Sequence, residues 1–387
     1  MNKKDISEIK KLFTREKSCI TRIAGCYVSA EKEKILQFKE AFSSVPEEEM
    51  YKYFDIFRKG LSGTIGKNLL NMEFPLNQEL EEGKQTELLA LKDSELKNEE
   101  LLDAFYDKMI ETYIHPENYL ILLIHGIYDI PLKTSDGIEN EDASDYVYSF
   151  ISCYLCPVHL TKGGLVYNAE ENRITDRLRD WIVDMPEQAF LFPAFNDRNT
   201  DLHSLLYYTK KSEVIAEEIM EDILGCVQPI TAGIQKESFQ AIVEEALGDE
   251  CVYEVVRNLH ETIHEMIEEE KDNPDPVVLD KTDLKHLLQR SGAPEEALEI
   301  FEEKYTEHMG DHQKVLAKNI TETKKFEVTA SDVIVKVNPE RADLVETRII
   351  DGKRCLVIEL NDAVAVNGIH ILPEREENEE GNISETV

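Results

Sequence analysis

The chain has 387 residues, 42% apolar and 32% charged, enough for about two or three packed domains and unlike the composition of a disordered polymer. Its 43 Lys and Arg stand against 79 Asp and Glu, a formal net charge of −36, which opposes general adhesion to phosphate backbones or anionic lipid. The start, Met1 to Lys11, is polar, no stretch approaches the roughly 18 apolar residues that span a bilayer, and seven cysteines are too sparse for a disulfide framework. The expectation is a cytoplasmic protein without membrane association.

Taken in order, Lys3 to Arg15 places Ile6, Ile9, Leu12 and Phe13 at helical spacing, and β-rich runs follow at Ser18 to Val28 and Ile35 to Phe42. Residues 1–45 hold ten basic and six acidic side chains, so this is the one basic region of an acidic molecule. Pro46 followed by Glu47, Glu48 and Glu49 opens a helix that ends near Gly60, with carboxylates at its positive end. Strands are expected at Ile65 to Phe74 and Thr86 to Leu91, then a helix at Asn98 to Tyr113. Tyr119 to Ile130 is almost continuously apolar and reads as a buried central strand ending at Pro131. Lys133 to Asp145 reads as a polar loop and Tyr146 to Val158 as a strand. Arg173 to Val183, which carries the single tryptophan Trp181, has the spacing of a short helix. Ala189 to Phe195 and Leu202 to Thr209 add strands.

From Ser212 the texture becomes helical and acidic: residues 212–271 hold sixteen acidic and three basic side chains. Thr282 to Arg290 and Pro294 to Met309 form a helical hairpin turning at Ser291-Gly292. Beyond Thr321 the pattern is β, and Asp351-Gly352 between apolar runs marks a type I′ hairpin. Glu374 to Val387, with six glutamates and one arginine, is expected to be a disordered acidic tail. The fold class implied is α+β: a mixed α/β domain over 1–211, an acidic helical segment over 212–320, and a β-meander over 321–373 placed to complete the first domain's sheet.

Four constellations bear on chemistry. His260-Glu261-Thr262-Ile263-His264 matches His-Glu-x-x-His, in which two histidines one helical turn apart bind zinc and the glutamate activates water. Here the histidines flank the apolar stripe, Glu265 follows the second one, and no third ligand stands out. Cys153-x-x-Cys156 with His159 lies in an expected strand, where side chains three apart face opposite ways. Gly63 to Asn68 lacks the first glycine and the Ser or Thr of a phosphate loop, having Leu61 and Asn68 there. Between two apolar runs, Asn196, Asp197, Arg198, Asp201 and His203 offer carboxylates, a guanidinium and an imidazole, the inventory for a small polar ligand and equally for a turn that satisfies itself.

Met1-Asn2-Lys3-Lys4-Asp5-Ile6, the run Leu61-Ser62-Gly63-Thr64-Ile65-Gly66-Lys67-Asn68-Leu69-Leu70-Asn71, the run Phe190-Leu191-Phe192-Pro193-Ala194-Phe195-Asn196-Asp197-Arg198, and Asn338-Pro339-Glu340-Arg341 together resemble the bacterial domain of unknown function four-three-one-seven, found chiefly in anaerobic Gram-positive bacteria. The resemblance spans residue 1 to about 372 and carries no activity, cofactor or site residue with it. A fainter likeness of layout to acidic nucleoid-associated proteins rests on no motif.

The expected function is that of a non-catalytic interaction or regulatory protein without a cofactor, with a protein or small polar ligand as partner and nucleic acid disfavoured. The alternative is a hydrolase using carboxylates or a metal, with zinc at His260 and His264 and Glu261 as base. Lys3, Lys4, Lys10, Lys11, Arg15 and Lys17 are expected to form a basic face that docks on the protein's own acidic helices or recruits an acidic partner.

Overall fold

Asn2 and Asp5 show how the sequence begins its first helix. The Asn2 side chain accepts from the Lys4 and Asp5 amides while the Asp5 carboxylate accepts from the Asn2 amide, a reciprocal cap that satisfies orphan donors at the start of α1 (Lys3–Lys11). The computed structural model describes residues 1–79, 83–133, 139–211, 216–226, 230–311, 313–330, 332–359, 364–366 and 369–371. The expected acidic tail therefore lies outside the described residues. The chain forms two compact units, the first made of 1–240, 269–279 and 314–320 and the second of 241–268, 280–313 and 321–387. The first thus runs past the compositional change at Ser212.

After α1, the first unit contains β1 (Ile20–Val28), β2 (Lys34–Ala41), α2 (Glu47–Gly60), β3 (Leu69–Glu73), α3 (Lys84–Asp93), α4 (Glu99–Thr112), β4 (Asn118–Lys133) and β5 (Glu139–Leu160). It continues through β6 (Leu165–Asn168), β7 (Arg173–Asp176), β8 (Trp181–Val183), β9 (Gln188–Phe192), β10 (Ala194–Asn196), β11 (Asn199–Asp201) and β12 (Ser204–Thr209). An eight-stranded sheet runs β2-β1-β4-β5-β9-β12-β3, with β8 added along the end of β5, and every pairing is antiparallel.

Both faces of this sheet are covered, which explains the apolar run that names β4 as central. Ile121 and Leu123 enter one core with Leu88 and Leu91 of α3, Leu102, Tyr106 and Met109 of α4, and Ile219 to Leu224. Leu120, Leu122 and Ile124 enter the other with Ile6 and Ile9 of α1 and Phe54 and Phe57 of α2. The acidic stretch after Ser212 accordingly contributes a π-helical turn, Ile219–Leu224, to the first unit's core. A short pair, β13 (Val278–Leu279) with β14 (Val315–Leu316), also belongs to this unit.

Three expectations about single elements of this unit are corrected. Thr86 to Leu91 is the body of α3 rather than a strand: Gln, Glu, Leu, Ala and Lys are good helix formers, and burial of Leu88 and Leu91 needs only one face. The polar loop to Asp145 is cut short because β5 begins at Glu139. Arg173 to Val183 is two strands, β7 and β8, not a helix. Asn172 at φ 49° turns β6 into β7, and Trp181–Val183 takes backbone partners along β5, so pairing overrides the helical spacing of Ile174, Leu178, Trp181 and Ile182.

α5 (Ala232–Leu247) carries the chain from the first unit into the second, which contains α6 (Tyr253–Glu269), α7 (Lys281–Arg290) and α8 (Glu295–Met309). Leu259, Ile263, Leu284, Leu288, Phe301 and Tyr305 are buried there. Its strands pair only within hairpins among the described residues: β15 (Phe326–Ala330) with β16 (Val333–Val337), β17 (Val345–Ile350) with β18 (Lys353–Ile358), and β19 (Val364–Val366) with β20 (Ile369–Ile371). None joins the large sheet, contrary to the expectation for the meander. Asp351 and Gly352 have φ of 50° and 76°, the two positive values that a type I′ turn requires. The mixed α+β class stands.

Candidate functional site

α1 is two-faced. Ile6 and Ile9 are buried, and four-residue spacing sets Lys3, Ser7 and Lys11 in one line with Lys4 and Glu8 beside it. These side chains wall a cleft of about 730 Å³ whose other lining residues are Leu12, Lys17, Tyr128, Asp129 and Pro131. The floor comes from the end of β4. Lys3, Lys4, Lys11 and Lys17 are exposed, and among the described residues none of them has a carboxylate within ion-pair distance.

The remainder of the expected basic face is committed elsewhere in the unit. Arg15 pairs with Glu47 of α2 at 2.5 Å, and Lys10 donates to Ser62 Oγ at 2.7 Å. Burial lowers the pKa of Lys10 below the usual lysine value, helped by the Arg58 and Lys59 charges. The basic face therefore divides into a docked part and an open part.

The sequence-derived loop meets this cleft through Arg198. β10 and β11 form a hairpin with Asp197 and Arg198 at φ 48° and 60°. From the turn, Arg198 pairs with Glu8 of α1 at 3.0 Å and donates to the Pro131 carbonyl at 2.7 Å. Tyr128 also donates to Glu8, at 2.9 Å, so one of the two cleft carboxylates is already neutralised. Asp201 accepts from Asn196 Nδ2 at 2.6 Å, Ser204 Oγ at 2.5 Å and the His203 amide at 3.0 Å. Burial opposes the charge on Asp201, but these donors outweigh it and hold the carboxyl below its ordinary pKa. His203 is 76% exposed and bonds Glu79 at 2.6 Å, which raises its pKa. The structure thus brings Asn196 and Asp201 together, turns Arg198 toward the cleft, and sends His203 to a different partner.

His260, Glu261 and His264 lie on α6 in the second unit. His260 Nδ1 shares a 2.8 Å hydrogen bond with Thr321 Oγ1, and Glu261 lies 3.7 Å from Arg257. Burial raises the pKa of Glu261, with Arg257 opposing. His264 is buried, and its Nδ1 has no hydrogen-bond partner among the described residues. No group of three or more His, Cys, Asp or Glu among the described residues is placed to hold a metal ion. Cys153 and Cys156 are buried in opposite cores, as strand geometry demands, and burial raises both thiol pKa values. Gly66, at φ 81°, is where the Leu316 side chain packs, which accounts for a glycine in the loop resembling a phosphate cradle.

Sequence reasoning missed the floor of the cleft. Tyr128, Asp129 and Pro131 are far along the chain from α1, and their only local signal was the interruption of an apolar strand by Tyr128-Asp129. Among the described residues no helix is long and apolar enough to cross a membrane. No curated protein matches the chain. The family model described as a domain of unknown function (DUF4317) matches residues 1–369, and the chain belongs to that family.

Proposed function

We propose that this is a non-catalytic binding protein whose α1 cleft holds an acidic segment of a partner protein. The observation that carries the reading is the set of four exposed lysines, Lys3, Lys4, Lys11 and Lys17, without ion-pair partners among the described residues, on a chain of net charge −36. Lysines are flexible point charges and suit a partner of distributed charge better than a single planar anion, for which paired arginine bonds are the stronger fit. Lys3 and Lys11 stand eight residues apart on α1, about 12 Å at the helical rise, the scale of an extended segment of several residues. A long nucleic acid would meet the acidic remainder of the surface.

The test is fluorescence anisotropy with a labelled peptide of alternating Glu and Asp at low ionic strength. Wild type is expected to bind, and the Lys3→Glu, Lys4→Glu, Lys11→Glu triple variant to bind at least about tenfold more weakly, since each reversal replaces attraction by repulsion at contact range. Absence of binding by wild type, or equal binding by the variant, overturns the proposal. A metal-dependent hydrolase is the second reading, supported by the unpartnered Nδ1 of buried His264 beside Glu261. Near-equimolar zinc in protein purified without an affinity tag, together with hydrolysis of a model ester or peptide, both lost in a His260→Ala, His264→Ala variant, would establish it over the first.

A further inference from the structure

Residues 162–185 comprise three short strands and their connections, and none of these residues is buried. The β6–β7 hairpin and β8 lie in this stretch, and it carries nine large exposed apolar side chains, among them Leu165, Tyr167, Ile174, Leu178, Trp181 and Ile182. Tyr167 lies opposite Ile174 in the register, and Leu165 lies on the same face two residues away. Leu178 is 86% exposed and Trp181 54%. A two-stranded hairpin with no core of its own is marginal in water, and clustered exposed apolar groups, with Tyr and Trp among them, mark a surface that is covered on association.

We propose that a second copy of this chain covers the arm, the two arms meeting about a two-fold axis. Charge selects this occupant. Two molecules of net charge −36 repel wherever their acidic surfaces face each other. Residues 162–185, in contrast, contain four basic side chains (Lys162, Arg173, Arg177 and Arg179) and five acidic ones (Glu170, Glu171, Asp176, Asp180 and Asp184), and so are nearly neutral. Both signs alternate around the apolar groups in Asp176-Arg177-Leu178-Arg179-Asp180-Trp181. A two-fold contact sets each position against its counterpart reciprocally, so every Arg–Asp pair formed across it forms twice, and the sequence complements itself. The size also fits, because 24 residues fall within the about 20–30 per side of a standard interface. The outer edge of β8 has no strand partner among the described residues and is available to the same contact.

Trp181 is the chain's single tryptophan, so its emission reports on the arm alone. The experiment pairs analytical ultracentrifugation of the full chain with tryptophan fluorescence over one concentration series. A dimer is expected whose formation coincides with a blue shift of emission, and Leu178→Asp should weaken it at least about tenfold. Ile174→Asp serves as a second variant. Both positions are exposed, so circular dichroism should be unchanged. Wild type that stays monomeric up to about 100 μM, about 5.5 kcal/mol of association free energy, overturns the proposal. So does a dimer that both variants leave intact, or one that forms with no change in Trp181 emission.

Discussion

His125 should make the first unit lose stability in mild acid, by an amount the structure lets one work out. It lies on β4, 1% exposed, with Nδ1 2.6 Å from Thr21 Oγ1 and Nε2 3.1 Å from Ser149 Oγ. Burial pulls its pKa down from 6.5 to about 4, with Glu95 acting upward and Lys92, Lys97 and Arg22 downward. A histidine whose folded pKa lies below its unfolded one binds its proton more tightly in the unfolded chain. Stability is therefore complete above pH 6.5 and falls as pH drops toward 4. Integrating between those values gives a loss of about 2 kcal/mol by pH 5 and about 3 kcal/mol by pH 4. The perturbation is His125→Gln, which keeps a donor and an acceptor near the two hydroxyls and does not titrate. The assay is urea unfolding followed by far-ultraviolet circular dichroism at half-unit steps from pH 4 to pH 7. Carboxylates contribute equally to both proteins and cancel in the difference. Wild type minus variant should fall steadily with decreasing pH across this window, and a difference independent of pH would refute the assignment of a buried neutral imidazole.

Three further outcomes follow from the same geometry. Arg198→Ala should destabilise the first unit by about 1–3 kcal/mol, because it unties Glu8 of α1 and the Pro131 carbonyl from the β10–β11 turn; an unchanged melting temperature would show that the tie is inert and restore Arg198 as a ligand group. In an NMR titration His203 should hold its proton to higher pH than an ordinary histidine, and Glu79→Gln should remove that shift, since the Glu79 hydrogen bond is its leading cause. Ellman's reagent should label exposed Cys251 before any buried thiol, while Cys153 and Cys156 react only on unfolding; early reaction of either would contradict their burial.

Local patterns were most legible where one interaction dominates. The helix opened by Pro46 and three glutamates, the apolar β4 and the Asp351-Gly352 turn are each written in a few adjacent residues, and each appears where it was expected. Segments whose state depends on a distant neighbour were misread. Trp181–Val183 is a strand because the end of β5 extends beyond β9 and offers an unpaired edge, and no property of Arg173 to Val183 by itself announces that edge. The same dependence governed the acidic stretch: Ile219 to Leu224 belongs to the first unit's core despite a composition that sets residues 212–271 apart.

The cleft shows why a charge count and a motif search see different things. A literal match such as His260 to His264 is visible because its residues are adjacent, yet the structure engages His260 with Thr321 and Glu261 with Arg257. The open lysines match no motif, and six basic residues near the start of the chain looked equivalent. They became distinct only when Glu47 and Ser62 engaged Arg15 and Lys10, and when Arg198, nearly two hundred residues away in the chain, took Glu8. With Glu8 engaged by Arg198, the four lysines face Asp129 as the one remaining carboxylate among the lining residues. Under the proposed reading the β10–β11 hairpin supports the neighbouring cleft: Arg198→Ala frees the Glu8 carboxylate to face Lys4 and Lys11 and weakens acidic-peptide binding without touching a lysine. Peptide affinity unchanged in Arg198→Ala, in protein shown by circular dichroism to be folded, would break that link.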